Sequence, residues 1–256
     1  MANSTEPTAE ELPLINEIKL EGFSYSSDES GWGYNSANDA ALNKIGRLKT
    51  VAYLDLLSAC DDGRVTNEGL SYLAKNRSLA ILKLGGSISD AGILHLRGLT
   101  QLARLQVNKG EFDENEVTDI AMECISKLVN LRELWLTFTK ISPSGFNLIS
   151  NLKNLSVLIL GSNEGVNDEI ASRLAGLSQL TYLDLSGTQI TEKTILTLAP
   201  LTRLEKLTLG YTKLSDQAIP VLSTFTKLEL LELSGAGISE KGIAKLKQAL
   251  PKTNII

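Results

Sequence analysis

Chemistry in this chain would have to come from very few side chains. His95 is the only histidine, set between Leu94 and Leu96, and the two cysteines, Cys60 and Cys124, stand far apart. One histidine and two separated thiols lack the ligand spacing of a zinc site. Only Arg64 lies near Cys60 in sequence, so little is at hand to lower that thiol's pKa and make it a nucleophile. The densest acidic run, Asp113-Glu114-Asn115-Glu116, lacks the alternating spacing of a calcium loop. There is no glycine-rich phosphate loop and no nucleophile elbow. The expectation is a chain that is not an enzyme, with no cofactor and no metal.

What remains is recognition by contact, and its residues make sense only once the repeating elements are laid out. Leu180-Thr-Tyr-Leu183-Asp-Leu185 is followed 24 residues later by Leu204-Glu-Lys-Leu207-Thr-Leu209, and 24 residues after that by Leu228-Glu-Leu-Leu231-Glu-Leu233. Earlier copies are Leu155-Leu158-Leu160, Leu131-Leu134-Leu136, Leu102-Leu105-Val107, Leu79-Leu82-Leu84, Val51-Leu54-Leu56 and a weaker Ile15-Ile18-Leu20. A fixed period of this length is the signature of stacked units. The nine units start near residues 15, 51, 79, 102, 131, 155, 180, 204 and 228, with 1–14 as an N-terminal cap and 243–256 as a C-terminal one.

Within each unit the leucine triplet reads as a strand. The second half turns to helical spacing, as in Ile195, Leu198 and Leu201. Ahead of each helix stands a residue whose side-chain oxygen can cap it: Asn38, Thr66, Ser89, Thr118, Ser142, Asn167, Thr191, Ser215 and Ser239. Most are followed within two residues by Asp or Glu, favoured at the positive end of the helix dipole. Small residues next along (Ala41, Gly69, Gly92, Ala121, Gly145, Ala218, Gly242) suggest close approach of neighbouring helices. One unit cannot fold alone. Seven inward side chains at about 1.5–3 kcal/mol each fall short of the entropy of 24 residues at about 1–2 kcal/mol each. Stacking covers both open faces.

The pattern L-x-x-L-x-L-x-x-T/N-x-I-[ST]-[DE]-x-G/A-I/L-x-x-L resembles the leucine-rich-repeat superfamily across nearly the whole chain. It looks closest to the helix-backed subclasses, the bacterial GALA-type repeats and the cysteine-containing repeats found beside F-boxes. Gly69-Leu70-Ser71-Tyr72-Leu73-Ala74-Lys75-Asn76 is similar to the GALA consensus. The ninth position, usually an Asn bonded to backbone, is here Thr139, Asn163, Thr188, Thr212 and Ala236, and the F-box-associated cysteines are absent. The resemblance implies an α/β solenoid, a right-handed leucine-rich-repeat horseshoe with parallel strands on the concave face and short α-helices on the convex face.

In such strands the residues between buried leucines face the concavity. Most are polar, but Trp135, Val157, Ile159 and Tyr182 fall on three consecutive strands, with Phe138 and Tyr211 at nearby strand ends. Arg104 and Asp184 flank them, and Tyr53 and Ile81 extend the face toward the N-terminus. An apolar cluster rimmed by charge, rich in Trp, Tyr and Arg, is the composition of a binding hot spot. The expected function is therefore binding of a partner protein through the concave face, by a monomer.

The alternative is a bacterial effector or inhibitor that blocks an enzyme with the first insertion, where Phe23, Tyr25, Trp32 and Tyr34 sit among serines and glycines. The second insertion carries Asp61-Asp62 and the third Glu111, Asp113, Glu114 and Glu116. Residues 1–128 hold 19 acidic and 12 basic side chains, and residues 129–256 hold 11 and 13. With a net charge of −5 and no basic stretch, nucleic acid is not an expected partner. The N-terminus shows no secretory signal and no apolar run reaches membrane-spanning length. The expected location is cytoplasmic, or outside the cell if delivered without a cleaved signal.

Overall fold

A computed structural model describes residues 37–48, 51–108 and 116–256. The weak first strand copy, the N-terminal cap and the aromatic insertion fall outside these residues.

Among the described residues nine parallel strands form one sheet in simple sequence order: β1 (Tyr53–Asp55), β2 (Ile81–Leu84), β3 (Arg104–Asn108), β4 (Glu133–Thr137), β5 (Val157–Ile159), β6 (Tyr182–Asp184), β7 (Lys206–Thr208), β8 (Leu230–Glu232) and β9 (Asn254–Ile255). The register is strict. Each unit's middle leucine pairs with the next, from Leu54↔Leu82 through Leu105↔Leu134 to Leu183↔Leu207 and Leu207↔Leu231. These leucines have no exposed surface, so the core is a column of identical side chains running the length of the solenoid. Strands this short are stable only because each lies between two others, and β9 closes the far end with Ile255 against Leu231.

The helical side of most units is one or two turns of α or 3-10 helix, and the last unit carries the longer α-helix Glu240–Ala249. Pro143–Phe146 is α and runs into a 3-10 turn at Asn147–Asn151, whereas Asp168–Ile170 and Asp216–Ala218 are 3-10 first. The expectation of short α-helices is thus met only in part, because a 24-residue unit leaves little length for the second half. The convex side, being wider than the strand side, bends the sheet into an α/β horseshoe.

All nine expected caps stand at helix N-termini with extended backbone. Eight accept a hydrogen bond from a first-turn N–H. Ser89 instead takes one from the Asn67 amide at 2.9 Å.

The acidic residues after the caps do more than face a dipole. Asp39 accepts from the Thr66 N–H at 2.9 Å and from its hydroxyl at 2.7 Å. Asp90 does the same for Thr118, Asp119 for Ser142, Asp168 for Thr191 and Asp216 for Ser239. Each carboxylate ties its own helix start to the next unit's cap. These are charge-assisted bonds, stronger than neutral ones. The carboxylate is missing at two steps: Asn67 serves Ser89 with its amide, and Pro143 has no side-chain oxygen to offer Asn167. Glu192 reaches only the Ser215 hydroxyl, at 3.2 Å.

The small residues make room for this ladder. A Cβ at Gly92 would come within 2.5 Å of Asn67 Oδ1, and one at Gly242 within 2.5 Å of Asp216 Oδ1; Gly69 and Gly145 face Asp39 and Asp119 in the same way. Neighbouring helices approach closely here, with the first residue of one set against the small residue of the next, and at Ala121 a methyl is accommodated beside the Asp90 rung.

Candidate functional site

At the C-terminal ends of β4 to β8 the chain turns away from the sheet with one residue in the left-handed region. In five consecutive units these residues are Phe138 (φ 53°), Ser162 (φ 58°), Gly187 (φ 64°), Tyr211 (φ 55°) and Gly235 (φ 68°). Backbone pairing holds the turn in place. Ser162 N–H donates to Ser186 O, Gly187 N–H to Gly210 O and Tyr211 N–H to Ser234 O, each at 2.8 Å.

Directly after this row comes the ninth position. Asn163, with no exposed surface, accepts from the Thr139 N–H and hydroxyl at 2.8 and 2.6 Å and donates to Leu136 O and Leu160 O at 2.7 and 2.8 Å. Thr188 and Thr212 make a smaller version, each hydroxyl donating to the carbonyl of its own unit's Leu185 or Leu209. Residue 211 is therefore held from both sides, by its own N–H and by Thr212, while Phe138 is followed by a residue fixed through Asn163.

Glycine suits such a place and an aromatic does not. A left-handed backbone costs a side-chain-bearing residue about 1–2 kcal/mol, and bulky residues there are genuine outliers. Phe138 and Tyr211 nonetheless occupy it, and they are 41% and 76% exposed. The Tyr211 ring gains little burial in return, while Phe138 has a little over half of its surface covered. The Tyr211 ring leans over the next unit, where a Cβ on Gly235 would lie 2.7 Å from its Cδ1.

Inward from this row lie the expected concave residues. Trp135 and Ile159 are paired neighbours on β4 and β5, and Ile159 and Asp184 on β5 and β6; Val157 pairs with Tyr182. Trp135, Val157 and Tyr182 are half-buried, but Ile159 is only 7% exposed. Its place between Trp135 and Asp184 makes it the floor of the patch, which corrects the expectation of four exposed apolar side chains. The Trp135 indole N–H is shielded from solvent with no acceptor.

Burial raises the Tyr182 pKa above the usual phenol value, and the charges of Asp184 and Glu232 add to that effect, while a hydrogen bond with Thr208 opposes it. Asp184 Oδ1 holds the Ser186 N–H at 2.8 Å, and Glu232 holds the Gly210 and Ser234 N–H groups at 3.0 and 2.8 Å. Both carboxylates lie over glycines of the preceding unit, Gly161 and Gly210.

Arg104 is not a free cation at the rim of the patch. It pairs across the strands with Glu133, Nε to Oε2 at 2.6 Å and Nη2 to Oε1 at 2.7 Å. Toward the N-terminus Tyr53 and Ile81 are half-buried neighbours, and Lys83 reaches Asp55 at 2.8 Å with its ammonium 5.6 Å from the Tyr53 ring centroid. The charges at that end of the face are paired with one another, and the row continues through Glu133 to Val157 and Tyr182.

The groups that could react are shut away. The second insertion folds into a helical turn, Leu57–Asp61, that buries Cys60, and burial pushes its thiol up to about 12. Cys124 is buried, its thiol raised by desolvation and donating to Ile93 O at 3.3 Å. His95 is half-buried in a convex turn. Among the described residues no three His, Cys, Asp or Glu side chains gather as a metal site. No described helix is long and apolar enough to cross a membrane. Phe23, Tyr25, Trp32 and Tyr34, and the acidic residues 111–114, lie outside the described residues.

Sequence reasoning missed the left-handed row and the carboxylate ladder. The row was open to discovery: glycine at 187 and 235 in register with Phe138, Ser162 and Tyr211 marks a positive-φ position that three units fill with other residues.

No family model matches the chain. EEED8.10 of Caenorhabditis elegans, whose name ascribes RNA binding to it, is 27% identical over 161 residues, covering 56% of this chain and 22% of that protein. This chain thus spans about a fifth of the curated relative it matches. Among solved structures, internalin C2 of Listeria monocytogenes is 25% identical with a TM-score of 0.55, over 86% of this chain and 84% of that one. The internalin InlF of the same organism is 23% identical with a TM-score of 0.59, over 83% and 62%. Rad7, solved in complex with Elc1 of yeast, is 19% identical with a TM-score of 0.64, over 85% and 59%. Together with the nine-stranded solenoid, these neighbours show the leucine-rich-repeat fold.

Proposed function

We propose that this chain is a protein-recognition module that grips a partner protein on its concave face, centred on Trp135, Val157 and Tyr182 and bounded by Phe138 and Tyr211. The observation that carries the reading is the pair of exposed aromatics on left-handed backbone. Backbone strain at a site the fold over-determines is retained where function uses it, and large amphipathic rings at low entropy cost are the favoured anchors of interfaces. The neighbours agree, since Rad7 was solved with a protein partner. The RNA binding in the relative's name does not carry over well. Asp184 and Glu232 face the concavity, Arg104 and Lys83 are already paired, and a phosphate backbone requires free cations.

The GALA-like subclass, a bacterial source and action in the cytoplasm or as a delivered effector extend the same reading and are tested with it. Affinity capture from the source organism compares the natural chain with Trp135→Ala/Tyr182→Ala and with Tyr211→Gly, after circular dichroism shows unchanged folding. A partner held by the natural chain and released by both variants supports the concave-face site. A partner held by all three and released only by Trp32→Ala/Tyr34→Ala moves the site to the insertion.

A further inference from the structure

The row of left-handed residues has a length as well as an exposure. Phe138 and Tyr211 occupy the same position in units three strands apart, and strands spaced about 4.8 Å put them about 14 Å from each other. Between them stand only Ser162 and Gly187, so no large side chain interrupts the edge. An extended polypeptide advances about 3.3 Å per residue and turns alternate side chains to the same face. Residues i and i+4 of such a segment reach from one ring to the other.

The chemistry at the two ends differs. Phe138 stands three residues beyond Trp135, whose strand neighbour is the covered Ile159. Tyr211 sits beside Gly210, over which the Glu232 carboxylate is held, and Asp184 lies over Gly161 midway along. Both carboxylates accept from backbone N–H groups, which fixes them in place before any ligand arrives, and Asp184 Oδ2 has no donor among the described residues. The cation on these strands, Lys206, is solvent-exposed and lies at the opposite end of its strand from Gly210. The Tyr211 end is therefore an aromatic face next to preorganised negative charge. That combination suits a guanidinium or ammonium, which gains from the ring face and from the carboxylate together.

We infer that this edge takes an extended segment of the partner polypeptide, laid across β4 to β7, with an apolar side chain on Phe138 and an arginine or lysine four residues along against Tyr211 and Glu232, in the field of Asp184 midway. This rests on the concave-face reading and specifies its partner. Random linear peptides displayed on phage provide the test, selected on the natural chain and then measured on Tyr211→Gly, Phe138→Gly, Asp184→Asn/Glu232→Gln and Trp135→Ala, each checked for folding by thermal melting. Asp184→Asn keeps the oxygen that holds the Ser186 N–H and loses only the charge, whereas Glu232→Gln keeps one of its two backbone acceptors, so the double variant is compared with Asp184→Asn alone.

The expected result is enrichment of sequences with an apolar residue and an Arg or Lys four apart. Their affinity should fall roughly tenfold or more in the Tyr211 and carboxamide variants. It should also weaken with salt on the natural chain and much less on the carboxamide variant. Enriched peptides that share no basic residue, or that bind the carboxamide variant as well, overturn the inference. If those peptides are still lost on Trp135→Ala the concave-face reading survives alone; if no variant affects them, both fail. A selection that enriches nothing also overturns the inference.

Discussion

Replacing Tyr211 tests whether its backbone is locked as the hydrogen bonds imply. Two substitutions are needed, Ala and Gly, because both delete the ring and only Gly relieves the left-handed strain. The relief is about 1–2 kcal/mol, and against it stands the extra freedom glycine has in the unfolded chain, about 0.4–1 kcal/mol. Gly should therefore be the more stable of the two by about 0.5–1 kcal/mol. At an ordinary helical position the order reverses, with Gly about 0.5–1 kcal/mol worse than Ala. Leu196, 53% exposed in the helix Glu192–Thr197, serves as that control. Equilibrium urea unfolding followed by circular dichroism gives both differences, provided the slope with denaturant is unchanged between variants. If Ala at 211 equals or exceeds Gly, the turn adapts to its side chain, the strain argument fails, and the exposure of Tyr211 needs no functional explanation. The companion result is that both variants lose the partner, since the ring's exposure leaves it little to do in folding.

Three further expectations follow from the interior. Asn163→Ala removes a fully buried amide that serves Thr139, Leu136 and Leu160, and should cost about 3 kcal/mol of stability in the same unfolding assay. Burial alone would raise Asp168, but the hydrogen bonds from Thr194 and Thr191 outweigh it and hold the carboxyl below its ordinary 3.8. A depressed folded-state value means stability that is present above the ordinary range and lost as pH falls through the folded value. Asp168→Asn should therefore be less stable than the natural chain at neutral pH, with the gap closing below about pH 4 in acid melts. Cys60, with its thiol raised to about 12, should resist alkylation at pH 8 in the native chain and react readily in urea. Rapid native labelling would show that the Leu57–Asp61 turn opens.

The sequence made some features of this fold legible and hid others, for a physical reason. Leucines at fixed spacing announce the strand register because each has to meet an identical neighbour, so Leu54, Leu82 and Leu105 could be aligned without coordinates. The caps were equally plain, since Ser, Thr and Asn before a helical period have one common use. The concave site was readable only as a list of alternating positions. That alternation placed Trp135 and Ile159 on the same face and could not say that Ile159 is covered while Tyr211 is bare. Exposure depends on neighbours in the next unit: the glycine under the Tyr211 ring and the carboxylates that lie over Gly161 and Gly210. The pairing of Arg104 with Glu133 is of the same kind, a contact 29 residues distant that no single unit shows.

The two ladders that tie unit to unit divide the molecule's surfaces between stability and recognition. On the convex side Asp39, Asp90, Asp119, Asp168 and Asp216 commit their charge to the next unit's cap. These bonds hold the stack in register. Across the strand ends Asn163, Thr188 and Thr212 satisfy the turn from beneath, which frees the residue above it from any structural duty except tolerating its backbone. In two of five units that residue is glycine, in one it is serine, and in two it is an exposed aromatic. A fold that needed the rings would have buried them. Since each ring carries strain that glycine would remove, Phe138 and Tyr211 are best accounted for by what they touch outside the chain.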